Sequence, residues 1–405
     1  MRERLKTLIL IQAGLPLEAA ILLIAGLMVL LAGILLFPVA AGSLPYYENG
    51  LYGLLLFIFA LQILTLGKTP FGDMRRSMPL IGVGITIAGV GIVTCFIPDL
   101  LSQIPRILLF VCFAPGGLLL LLQMVFSREK LRAWIRYGGL FRHLVFGCGT
   151  VYLLSFVIGW LVLIPTLLDI TATAVIALIF GIAILYLALV LRKIYLTYPQ
   201  AERADPGTST LSTDKMLLLV IGIFMLLLGV LLIPVSFGQL PFAGSAQLGL
   251  LMVIFAVQML ASGSTPIGVF PRSWLVILLG LIFAALGIVS GIVPGYLVPL
   301  LTVLIGLLNV TNGMITLGKI LLPLFVKRKT PRPPAHPVLQ KLSITQFTLG
   351  VLSVLFGSSM LMPNLIPGPI VGVVLTANGV VLLYLITVLM ALDQLISQQT
   401  EKSDT

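Results

Sequence analysis

Twelve apolar runs, each long enough to cross a lipid bilayer and parted from the next by a short polar loop, constrain this chain more than any other feature. A spanning helix needs about 20 mostly apolar residues. The runs fall at 18–37, 50–66, 79–97, 104–126, 144–164, 171–191, 215–233, 246–262, 274–293, 297–317, 342–362 and 368–392. Only 9% of the residues are charged and 59% are hydrophobic, whereas a soluble domain carries roughly 25% charged residues. Too little charge remains to cover a water-facing surface. A soluble enzyme, a nucleic-acid binder and a disordered chain are excluded, and the lipid bilayer is the expected surrounding.

Charge placement gives the orientation. Lys and Arg stay on the cytoplasmic side of a membrane protein. With the N-terminus inside, 23 of the 24 Lys and Arg fall on the cytoplasmic side, and Arg106 is the exception. The outer turns hold Glu48, Asp99 and Asp169. The formal charge of +11 is therefore a topology signal, and both termini are expected in the cytoplasm. The charged start, Met1 to Lys6, reads as an uncleaved lead-in.

The chain repeats itself. Leu36-Phe37-Pro38-Val39, Gln62 and Thr69-Pro70-Phe71-Gly72 recur 196 residues later as Leu232-Ile233-Pro234-Val235, Gln258 and Thr265-Pro266-Ile267-Gly268. Six spans per copy is an even number, so the copies share one orientation. The expected fold is all-α and integral to the membrane, with about 12 transmembrane helices arranged as six tandem hairpins in two parallel six-helix halves. The halves are residues 1–197 and 215–405, and 198–214 is a cytoplasmic linker. Within each half a shorter unit recurs: odd-numbered spans end near Pro38, Pro98, Pro165, Pro234, Pro294 and Pro363. Paired glycines precede five of these prolines at seven-residue spacing: Gly26 and Gly33, Gly84 and Gly91, Gly222 and Gly229, Gly280 and Gly287, Gly350 and Gly357. A small residue every seven positions makes a smooth stripe on one helix face, which lets backbones approach where lipid gives helices little hydrophobic reason to associate. The proline is expected to end the helix.

Tandem hairpins with this glycine, glycine, proline pattern resemble the HdeD family of bacterial inner-membrane proteins, which is built from a short membrane repeat of unassigned biochemistry. The resemblance implies a fused, duplicated form in a bacterial inner membrane, with a link to acid resistance that no residue here embodies.

Ionisable chemistry is nearly absent from the spans. His143 and His336 fall in loops, and Glu18 and Asp393 sit near cytoplasmic span ends. A charge at the bilayer centre costs about 2.5–3.5 kcal/mol on insertion scales, and this chain spends none of it. No nucleophile, phosphate loop, metal set or cofactor site stands out, so no enzymatic activity is expected. Cys95, Cys112 and Cys148 read as small buried apolar residues. The polar residues left inside the spans are Gln62, Gln258, Asn309, Asn312 and Asn378. They either face a solute path between the halves or make interhelical hydrogen bonds. The basic residues Arg128, Lys130, Arg132, Arg136, Lys327, Arg328 and Lys329 either contact anionic lipid headgroups or only enforce topology.

Two functional readings follow. The first is a non-enzymatic module, a hairpin bundle that acts structurally or binds other membrane proteins. The alternative is a transporter of a neutral or apolar solute, since two parallel sixes is also the plan of the major facilitator superfamily. That superfamily nests inverted three-helix units, which two-helix hairpins cannot form.

Overall fold

A computed structural model describes residues 14–126, 139–198, 212–325, 337–362 and 365–404. Among them the chain forms twelve helices, all long and apolar enough to cross a membrane: α1 Leu17–Ala40, α2 Glu48–Leu66, α3 Met78–Phe96, α4 Ile104–Phe126, α5 Leu140–Leu163, α6 Ile170–Thr197, α7 Thr213–Ser236, α8 Gly244–Ser262, α9 Trp274–Ile292, α10 Val298–Phe325, α11 Pro337–Leu361 and α12 Gly368–Asp404. The protein is an all-α, multi-pass membrane protein. Helices α6, α10 and α12 run beyond the expected spans, because the Lys, Arg and Gln that follow the apolar run are good helix formers.

The prolines do not all end helices. Pro38 and Pro234 lie inside the last turns of α1 and α7. Each costs only the donor bond to the preceding turn, and its own carbonyl is used: Ser43 N donates to Pro38 O at 2.9 Å and Gln239 N to Pro234 O at 3.0 Å. Pro98, Pro165 and Pro294 follow the ends of α3, α5 and α9 by two residues, as an N–H-free residue should. Pro363 lies outside the described residues. Mid-helix Pro115, in α4, belongs to none of these sets.

Glycine places the helices. A methyl group on Gly33 of α1 would stand 2.8 Å from Leu178 N of α6, and one on Gly181 would stand 2.6 Å from Leu30 N. On the α2–α3 pair, Gly91 would meet Gly53 O at 2.8 Å, and on the α4–α5 pair Gly159 would meet Ala114 N at 2.5 Å. The α8–α9 pair repeats this, Gly287 facing Gly249 O at 2.5 Å. So do α7–α12, with Gly372 facing Gly229 O at 3.0 Å, and α10–α11, with Gly357 facing Gly306 O at 2.6 Å. Close partners are therefore helices joined across the basic loops, or the first and last of a six, rather than the two arms of a proline-turn hairpin. Gly26 meets Leu185 and Gly222 meets Leu383 on the same faces, Gly84 and Gly280 meet Leu64 and Leu260, and Gly350 meets Leu317.

The chain condenses into two compact units, which do not follow the two sequence halves. One contains α1–α6 together with α8 and α9; the other contains α7 and α10–α12. Backbone bonding explains why α8 and α9 join the first unit. Tyr47 N donates to Ile292 O at 2.8 Å, and Ala243 N donates to Phe96 O at 2.9 Å. Arg272 donates to Leu15 O, and Arg192 lies 4.6 Å over the Trp274 ring. At the same corner the Tyr47 hydroxyl donates to Cys95 O at 3.3 Å. Burial, then the proximity of Cys95 and Asp99, raises that phenol above its ordinary range, so it remains a neutral donor. Of the expected linker, residues 199–211 lie outside the described residues.

In the first unit, five helices close a ring: α1 on α6, α6 on α5, α5 on α4, α4 on α2 and α2 on α1. Helix α3 packs on the outside of α2. Two short strands, β1 Lys68–Thr69 and β2 Gly72–Asp73, pair antiparallel with Lys68 opposite Asp73. They follow Gly67, whose φ of 68° ends α2 in a left-handed cap. A similar two-residue pair, β3 Ser264–Thr265 and β4 Gly268–Val269, follows α8.

The packing makes a direct test. Gly91→Ala must force α2 and α3 apart and should cost about 1–3 kcal/mol, the range for overpacked cores. Gly82→Ala, on the same helix with nothing within 4 Å of the added methyl, should be neutral or stabilising by up to about 1 kcal/mol. Thermal unfolding of the two purified variants compares them.

Candidate functional site

Inside the five-helix ring lies a cavity of about 660 Å³, within the roughly 300–1,000 Å³ of small-molecule sites. Every helix of the ring lines it: Leu22, Ala25 and Val29 from α1, Leu55, Ile58, Phe59 and Gln62 from α2, Cys112, Phe113 and Leu120 from α4, Cys148, Tyr152 and Ser155 from α5, Phe180, Ile184 and Leu187 from α6. The wall is mainly apolar. Its polar groups gather at the end where α1 begins, here termed the basic face after Lys68, Arg192 and Lys193 at that end.

Three ionisable groups stand at that mouth. Lys68 pairs with Glu18 Oε1, and the Tyr195 hydroxyl donates to Glu18 Oε2 at 2.5 Å. Asp73 lines the same mouth. The β1–β2 hairpin puts Lys68 and Asp73 side by side there. Its turn is fixed by Thr69, whose hydroxyl donates to Gly72 O at 2.7 Å and accepts from Phe71 N at 3.2 Å. Gln123 of α4 clamps it from across the mouth, donating to Phe71 O at 3.1 Å.

A second cavity of about 310 Å³ continues toward the opposite face. It is lined by Leu36, Tyr46, Glu48, Tyr52, Leu161, Pro165 and Thr173 among others. Val29, Leu55, Phe113 and Phe180 line both cavities, so a one-layer partition of side chains divides them. Phe113 meets Phe59 edge-on at 5.0 Å between ring centroids and Phe180 at 6.0 Å. Its own backbone carbonyl accepts from Ser155 at 3.0 Å. Pro115, two residues on, lacks an N–H and leaves α4 short of one internal bond at this level. At the far mouth Glu48 accepts from Arg106 at 3.0 Å and from the Tyr52 hydroxyl, and Arg106 lies 6.0 Å from the Tyr52 ring. Arg106, the exception to the expected charge bias, thus has a carboxylate partner.

The polar residues expected to face a path separate in the structure. Gln62 lines the larger cavity, and among the described residues nothing is hydrogen-bonded to its amide. Gln258, half-buried in α8, lies outside the cavity wall, so the two do not form a symmetric pair around this space. Asn309 donates to Ile305 O of its own helix at 2.9 Å. Asn312 is half-buried and Asn378 is buried, both in the second unit. The basic residues Arg128, Lys130, Arg132, Arg136, Lys327, Arg328 and Lys329 lie outside the described residues. His143 bonds the Tyr186 hydroxyl at 2.7 Å. Among the described residues no three His, Cys, Asp or Glu side chains group as a metal-ligand set.

Sequence reading missed the aromatic partition and both mouth pairs. Phe59, Phe113 and Phe180 are ordinary core residues by type, and only the ring of helices brings them together. The repeated Thr-Pro-x-Gly was the available signal for the mouth hairpin. Comparisons with protein-family models, curated proteins and solved structures find no match to this chain.

The site predicts a contrast between two polar residues. Ser155→Ala removes an interhelical bond to Phe113 O and should cost about 0.6–2 kcal/mol. Gln62→Leu removes no bond and should leave the unfolding midpoint unchanged or raised. Both follow from thermal denaturation in detergent.

Proposed function

We propose that this membrane protein binds a small, largely apolar solute inside the ring of α1, α2, α4, α5 and α6 and passes it from one face to the other. The observation that carries the reading is the pair of abutting cavities with a partition one side chain thick. A helix bundle that served packing alone would have little reason to keep such volume in its centre, since well-packed interiors leave few voids larger than water. The path runs inside the first six helices, so it needs no rocking of two halves as in a major-facilitator plan. In this reading the glycine stripes hold the ring's close pairs, and the aromatic partition keeps the path shut between passages.

The reading is non-enzymatic: the ionisable groups of the site are already paired or stand at the mouth. The internal repeat, read from residues 196 apart, fits the matched bonds of Tyr47 with Ile292 and Ala243 with Phe96. Charge placement supports both termini in the cytoplasm, with the Glu18 mouth opening there. The HdeD-like pattern of glycine and proline supports a bacterial inner membrane, and a role beside other membrane proteins remains compatible with it.

Removing the partition tests the path. Phe113→Ala with Phe180→Ala joins the cavities. Proteoliposomes of this variant should swell several-fold faster in a glycerol gradient, followed by light scattering, than those of the unaltered protein. A folded variant that swells no faster than protein-free liposomes would falsify the path.

A further inference from the structure

We infer that the solute carries a positive charge on an apolar or aromatic body, that is, a lipophilic organic cation with an ammonium head. This rests on the solute-path reading above and narrows it to a substrate class.

The first support is the sign of the charges on the path. The chain has a formal charge of +11, yet the larger cavity is lined by two carboxylates, Glu18 and Asp73, against one ammonium, Lys68, while at the far mouth Glu48 is balanced by Arg106. An anionic solute would meet an excess of one carboxylate at the basic-face mouth, and a neutral one would gain no charge attraction from it.

The second support is that an ammonium already occupies the better-formed of these sites. Tyr195 fixes one oxygen of Glu18, and the other takes Lys68. Glu18 is 13% exposed and Lys68 36%, so the carboxylate is built into the wall and the cation reaches it from the mouth. A solute ammonium would replace Lys68 on Glu18 Oε1 with the same chemistry, and Asp73 opposite Lys68 in the hairpin would receive the displaced side chain.

The third support is the partition itself. The faces of aromatic rings attract cations, best when water is excluded. Phe113 of the partition meets Phe59 and Phe180 at interplanar angles of 70° and 75°, so its ring plane is turned away from those of both neighbours. Along α1, Glu18 is eleven residues from Val29 of the partition, about 16 Å at 1.5 Å per residue. Along α2, Glu48 is seven residues from Leu55, about 10 Å on the far side. The Glu18 and Asp73 carboxylates, the partition phenylalanines and the Arg106-paired Glu48 thus follow one another along the path.

Three water-soluble probes on one phenyl body separate the outcomes: 2-phenylethylammonium, 2-phenylethanol and phenylacetate. Binding to the purified full-length protein is measured by equilibrium dialysis. The ammonium should bind at least about tenfold more tightly than the alcohol, the order of one desolvated cation–π or carboxylate contact, and phenylacetate should bind least. Glu18→Gln with Asp73→Asn should lower the ammonium-to-alcohol preference several-fold, and an undiminished preference in this variant overturns the carboxylate role. Equal binding of ammonium and alcohol to the unaltered protein overturns the charge inference while the solute cavity stands. Binding of none of the three overturns both.

Discussion

Backbone contact through glycine is the interaction on which everything else in this protein depends. In lipid, apolar side chains gain little by leaving one hydrocarbon surface for another, so dispersion between closely fitted helices supplies the cohesion. The contacts are spent unevenly. In the first six helices they join α1 to α6, α2 to α3 and α4 to α5, while no glycine of these helices makes such an approach across the α1–α2 or α2–α4 contact. Helices drawn tightly together on some edges and held apart by Leu, Ile and Phe on others leave space between them. The cavity is a consequence of where glycine is placed.

Polar groups are distributed by the same economy of solvation. The central part of the ring presents aromatic and aliphatic walls, with Gln62 and Ser155 as neutral exceptions. The charged pairs Glu18–Lys68 and Glu48–Arg106 sit at the two mouths, where water is near and desolvation is cheapest. Lys215 and Asp393 make a comparable pair in the second unit. Such pairs add little stability when exposed. Their placement matters more for what enters than for what holds the fold together.

The membrane character and the helix positions were legible because hydropathy over 20 residues is a strong, local signal. Helix α4, expected at 104–126, spans Ile104–Phe126, and α8 and α9 differ from expectation by at most two residues. The glycine stripes were legible as contact surfaces but not as partners, because spacing along one helix does not say which neighbour it meets. The division into units was not legible for the same reason: the bonds Tyr47 to Ile292 and Ala243 to Phe96 join residues far apart in sequence. Phe113 and Phe180 could not be told from other core phenylalanines, since only closure of the ring sets them between two cavities. Lys68 and Glu18, 50 residues apart, become a pair only when the hairpin after α2 folds back over the start of α1.

The central claim is that the five-helix ring encloses a space reachable from water, and the native cysteines report on it. Cys148 lines the larger cavity eight residues into α5, whereas Cys95 is fully buried between α2 and α3. Labelling of the membrane-embedded protein with a water-soluble, cationic methanethiosulfonate, read by mass spectrometry, compares the two thiols directly. Modification of Cys148 well before Cys95 is the result expected of an open cavity. Equal and slow modification of both would contradict it and return the interior to packed side chains.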